Sequence, residues 1–193
     1  MTAIAQSGRT ANPRRPDPRR PGAPVLQHLA LWGGVVILAP AAVGLAATPL
    51  LGRRLPWQFH MPWVSPHIAV ALLVLGLGVL QLALPKGDRR HRLVGYAWCG
   101  LIAAVCLSGL LVQLEPGHVT LIHWLSSGFA AADLLLLPVV IYAGRTGRRR
   151  LHRNAAMATF LIMLNAGALA YIPQRAIGSL VFGPFHSEHG GMR

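Results

Sequence analysis

Acidic side chains are scarce in this sequence. Five Asp and Glu stand against 18 Lys and Arg, and charged residues of both signs make up only 12% of its 193 positions. A soluble domain of this length carries about twice that share, so the deficit argues against water as the solvent for most of the chain. Cysteine is nearly absent too. Cys99 and Cys106 fall in one apolar stretch, where seven helical residues separate them by about 10 Å, beyond the reach of a disulfide. That excludes a disulfide framework and leaves both as small core residues. Also missing are a Walker-type phosphate loop, a dinucleotide-binding glycine pattern, an HExxH zinc motif and a Ser-His-Asp arrangement. With no soluble segment to hold NAD or flavin, any redox partner is separate or diffusible.

What is present is apolar: 53% of residues are hydrophobic, and they fall in long blocks. The net charge of +13 does not mark a nucleic-acid-binding protein. Its basic residues sit in short clusters between apolar blocks, as topology signals do, rather than along one soluble face. The expected partner is therefore a lipid bilayer and not a nucleic acid.

Residues 1–24 hold five prolines and five arginines with few large apolar side chains, which predicts a disordered basic cytoplasmic tail. This tail is too long and too Pro-rich for a signal-peptide n-region, so an uncleaved first span is expected. Five apolar blocks follow, at 25–51, 67–84, 93–114, 119–143 and 155–182. About 20 helical residues cross a bilayer core, and the alternation a barrel strand would need is absent. The expected fold is all-α and integral to the membrane, with five transmembrane helices.

Orientation follows from the basic residues. Arg9, Arg14, Arg15, Arg19 and Arg20 precede the first block. Lys86, Arg89, Arg90 and Arg92 separate the second from the third. Arg145, Arg148, Arg149, Arg150 and Arg153 separate the fourth from the fifth. The opposite side has only Arg53, Arg54, Arg175 and Arg193. The positive-inside rule puts the N-terminus in the cytoplasm and the C-terminal tail, 183–193, outside the inner (cytoplasmic) membrane.

Spans two to five, 67–182, read as a four-helix bundle made of two repeated hairpins, 67–114 and 119–182. Each has a histidine near the outer end of its descending helix, His67 and His123. Each turns through a basic loop and begins its ascending helix with a His-Arg pair, His91-Arg92 and His152-Arg153. Alternate helices of a bundle face each other, so the histidines form an outer pair (His67, His123) and an inner pair (His91, His152). Paired neutral imidazoles across a bundle core suit axial ligation of haem iron, which predicts up to two b-type haems. Arg89, Arg92 and Arg153 are placed for the propionates of the inner one. A zinc site built from His67, His123, His118 and Glu115 is the less natural alternative, because the histidines divide two and two.

Asp133 falls near the middle of the fourth span, where an acid is costly and is a candidate for proton relay or for fastening helices. Arg175, near the outer surface, could meet an outer propionate or an anionic substrate, or snorkel. Gln81, Asn165, Ser126 and Ser127 are expected to make interhelical hydrogen bonds. Trp57, Trp63 and Trp124 suit an outer aromatic belt, and Trp98 an inner one.

With PKGDRRHRLVGYAW and GRRRLHRNAAM at its two cytoplasmic turns, the run 67–182 resembles a bacterial family of predicted membrane proteins, the domain of unknown function 2306. HRLVG carries the most specific part of that resemblance, which implies a fold but no activity. The histidine plan is also similar to that of transmembrane dihaem cytochromes b. That resemblance implies His67 with His123 and His91 with His152 as ligand pairs, and electron transfer with a quinol or soluble partner. The spans number five here rather than six, and the inner histidines lie closer to the basic loops. Two other readings stay open: a non-catalytic assembly or accessory protein, and a small proton-coupled transporter with Asp133 as its intramembrane acid.

Overall fold

A computed structural model describes residues 22–52, 54–60, 62–113, 121–172 and 175–182. Most of the expected basic tail, Arg53, Glu115, His118 and the outer tail with His186, His189 and Arg193 lie outside the described residues. Within them every regular element is helical. The order is α1 (Gly22–Leu50), a short 3-10 turn (Trp57–His60), α2 (Val64–Ala83), α3 (Arg89–Gln113), α4 (Leu121–Arg145), α5 (Arg149–Leu169) and α6 (Ala176–Phe182).

Four of these helices are long and apolar enough to cross a membrane, over Gln27–Leu50, Val64–Ala83, Arg89–Leu111 and Leu121–Arg145. α5 is 21 residues long but begins with Arg149, Arg150, Leu151, His152, Arg153 and Asn154, so its apolar part is shorter. The block at 155–182 divides into two helices, α5 ending at Leu169 and α6 starting at Ala176. Pro173 falls in the interval. It lacks the N–H a helix needs and disfavours helical backbone in the residue before it.

α2, α3, α4 and α5 form a ring, each packed on its neighbours in chain order and α5 closing back on α2. α1 lies outside the ring against α2 and α5, and α6 packs on α1. The diagonal partners, α2 with α4 and α3 with α5, keep their backbones apart among the described residues, although the Trp98 and Phe160 rings meet between α3 and α5. Val74, Trp98, Ile102, Leu137, Phe160 and Leu164 fill the shared core. Trp98 is therefore a core residue and not part of an inner aromatic belt. It is 3% exposed, and its indole N–H donates to the carbonyl of Val74 at 3.0 Å. The outward face is as apolar as the core: Leu29, Trp32, Val36, Leu93, Leu121, Trp124 and Leu135 are all exposed. Such a continuous apolar surface would drive association in water and is matched by lipid.

The two basic turns share a device. Gly87 (φ 90°) and Gly147 (φ 69°) each stand two residues before an ascending helix, in a backbone region that side chains with a Cβ resist. Around the first turn the helix ends are capped. Asp88 Oδ1 accepts from the His91 backbone N–H at 2.6 Å, which places Asp88 as the N-cap of α3. Lys86 Nζ donates to the carbonyls of Gln81 (2.7 Å) and Leu82 (2.8 Å) at the end of α2, where cationic donors are favourable. Burial of this ammonium lowers its pKa.

Candidate functional site

The inner histidines come together. His91 is the third residue of α3 and His152 the fourth of α5, and their rings approach across the bundle with centroids 6.4 Å apart at 80°. Backbones that do not pack are thus bridged by side chains at the basic end of the bundle. His152 Nδ1 lies 3.0 Å from the Val140 carbonyl. A carbonyl only accepts, so this nitrogen carries the proton and Nε2 keeps a free lone pair. Orientation of one imidazole nitrogen by a backbone carbonyl is the usual support for a metal-ligating histidine. Gly144 makes room for it, because a Cβ there would stand 3.2 Å from His152 Nδ1.

His91 is held differently. Gln81 on α2 donates its amide to the His91 carbonyl at 2.8 Å. The same amide nitrogen lies 3.5 Å from His91 Nε2, at the limit of hydrogen bonding. His91 Nδ1 and Gln81 Oε1 are both buried without a partner. A buried, unpaired ring nitrogen beside a second imidazole is a donor set that fits an ion or a proton between the two rings. Among the described residues no group of three or more His, Cys, Asp or Glu assembles to hold a metal. Two imidazoles suffice for axial ligation, in which a macrocycle supplies the remaining bonds. Arg92 and Arg153 are exposed beside the pair, and Arg92 Nη1 lies 3.5 Å from the Gly87 carbonyl.

The outer histidines stand in the first turns of α2 and α4. His67, in the first turn of α2, lies with Nδ1 3.0 Å from Ser108 Oγ on α3. Ser108 spends its one hydroxyl proton on the Val105 carbonyl at 3.1 Å, so His67 is the donor. Arg175 lies within electrostatic reach of His67. His123 is half-buried in the first turn of α4, on the helix diagonal to α2.

At mid-bundle, Asp133 and Thr159 are both 0% exposed. Neither carboxyl oxygen, nor the threonine hydroxyl, has a hydrogen-bond partner. Thr159 on α5 is nonetheless the acid's polar neighbour, and Cys106 on α3 is within electrostatic reach. Of the expected interhelical groups, Gln81 joins α2 to α3. Asn165 and Ser126 bond instead to carbonyls four residues back in their own helices, Leu161 and Ile122.

No protein-family model, curated protein or solved structure matches the chain.

Sequence reasoning missed Thr159 and the Val140 carbonyl as site groups, and it named Gln81 as an interhelical group without its tie to His91. The signal for them was the hairpin register. Asp133 and Thr159 lie thirteen residues either side of Thr146, and Val140 and His152 lie six either side of it. Gln81 and His91 likewise lie five either side of Lys86. Antiparallel helices joined by a short turn place such positions level with each other.

Proposed function

We propose that this chain is a b-type haem-binding electron-transfer protein of the inner (cytoplasmic) membrane, with its inner imidazole pair as the ligand site. The observation that carries the reading is the approach of His91 and His152 across the bundle. These two histidines come from different hairpins, and each begins an ascending helix next to an arginine.

In this reading five spans cross the membrane, with the N-terminus inside and the C-terminus outside, and the two hairpins are copies of one unit. The ring pair then lies at the cytoplasmic face. His91 and His152 would hold the iron, with Val140 orienting His152, and Arg92 and Arg153 would balance the propionates, helped by the positive N-terminal ends of α3 and α5. A haem held there would supply one-electron transfer. Electrons would enter from a quinol or a soluble donor and leave to a separate acceptor. The reading rests on the inner pair, whose rings approach each other, and so carries one haem per chain.

The test is a reduced-minus-oxidised spectrum of the detergent-purified protein made with ample haem supply. About one haem per chain is expected, lost in His91→Ala and in His152→Ala and kept in His67→Ala and His123→Ala. A colourless wild-type protein would overturn the reading, and loss of half the haem with His67→Ala would restore the second, outer site.

A further inference from the structure

The acid at the centre of the bundle is not used by the haem reading. Asp133 stands twelve residues from either end of α4, about 18 Å along the helix from each. It is fully buried, and both its oxygens are unpaired. An unpaired carboxylate charge in such a place is among the costliest arrangements a membrane helix can hold, so the group needs a counter-charge. The groups that reach it from the packed helices are the Cys106 thiol on α3 and the Thr159 hydroxyl on α5, and neither is cationic. Hard cations such as Ca²⁺ or Mg²⁺ take about six oxygen ligands, whereas two carboxyl oxygens and one hydroxyl meet here. A proton needs only one.

A fastening role would put the acid's O–H into a bond with a neighbouring helix. Here neither the acid's oxygens nor the adjacent Thr159 hydroxyl makes a hydrogen bond of ordinary geometry, although Thr159 lies close enough to act on the carboxyl, so any hold on the neighbouring helix is weak. We propose that Asp133, with Thr159 beside it, is a mid-membrane proton-binding site that loads and unloads one proton. Loading neutralises the carboxylate, and unloading returns the proton to water and restores the charge, with no other reactant. The site is independent of haem. Val140, which orients His152, lies seven residues further along α4, about 10 Å away.

Infrared spectra of the full-length protein in detergent, wild type minus Asp133→Asn, test this across about pH 4 to pH 10, from the ordinary carboxyl range to that of lysine. The expected result is a free-acid carbonyl band at low pH that fades as pH rises. The ratio of acid to carboxylate should fall about tenfold per pH unit, as a single proton requires. Thermal unfolding of Asp133→Asn is expected at or above the wild-type midpoint. A band absent throughout would mean a charged carboxylate with another counter-ion, and would overturn the proposal. A band unchanged throughout, or a lowered unfolding midpoint in Asp133→Asn, would identify a fixed structural group and overturn it equally.

Discussion

Gly78 shows how little slack the bundle has at the level of single residues. A Cβ on it would fall 2.4 Å from Phe160 Cε2 and 3.1 Å from the Trp98 indole nitrogen. Phe160 is 1% exposed and among the largest fully buried side chains, so it cannot swing away. Overpacking of this kind costs about 1–3 kcal/mol. Gly78→Ala is therefore expected to lower the unfolding midpoint in detergent. Gly76, two residues earlier, has nothing within 4 Å of its Cβ position. Gly76→Ala should be neutral or gain up to about 1 kcal/mol through helix propensity, and equal losses at both sites would contradict the packing described.

At the scale of the element, α1 is held by a residue 130 positions away. Pro40 lies inside this helix and removes one rung of its hydrogen-bond ladder. Beside it the Tyr171 hydroxyl accepts from the Ala41 N–H at 3.1 Å and donates to the Ile37 carbonyl. Those two groups would bond to each other in an unbroken helix. The side chain thus enters the ladder where proline has weakened it, and ties α1 to the chain just beyond α5. Tyr171→Phe should cost about 1–3 kcal/mol by leaving buried backbone groups unpaired. In a Pro40→Ala background the ladder can close on itself, so the same change should cost clearly less by a double-mutant cycle. Additive effects would sink the insertion argument. No reading of α1 alone finds this partner.

For the whole molecule, orientation is the most exposed expectation. Arg90 and Arg150 are exposed at one end of the bundle, and Leu51 and Leu121 are exposed at the other. The native thiols, Cys99 and Cys106, are buried and give a low background. A membrane-impermeant maleimide applied to intact cells should label Leu51→Cys and Leu121→Cys. Arg90→Cys and Arg150→Cys should react only once the membrane is opened. The reverse pattern would invert the topology and move the histidine pair to the outside.

The sequence by itself determined the helical class, the apolar blocks and the pairing of His91 with His152. Hydropathy and basic clustering are local properties, and a short antiparallel turn propagates them into a register without further information. Three things were decided only by tertiary structure. The last block divides into α5, ending at Leu169, and α6, starting at Ala176, because an apolar run records hydrophobicity and not where a backbone hydrogen-bond ladder ends. His67 turns to Ser108 on its neighbour α3, since a histidine's position along a helix does not set which face it occupies. Trp98 and Asn165 exchange expected roles, the first buried and the second exposed. In lipid, polar and apolar side chains can each face inward or outward, and the choice falls to packing shape and hydrogen-bond reach rather than to hydropathy.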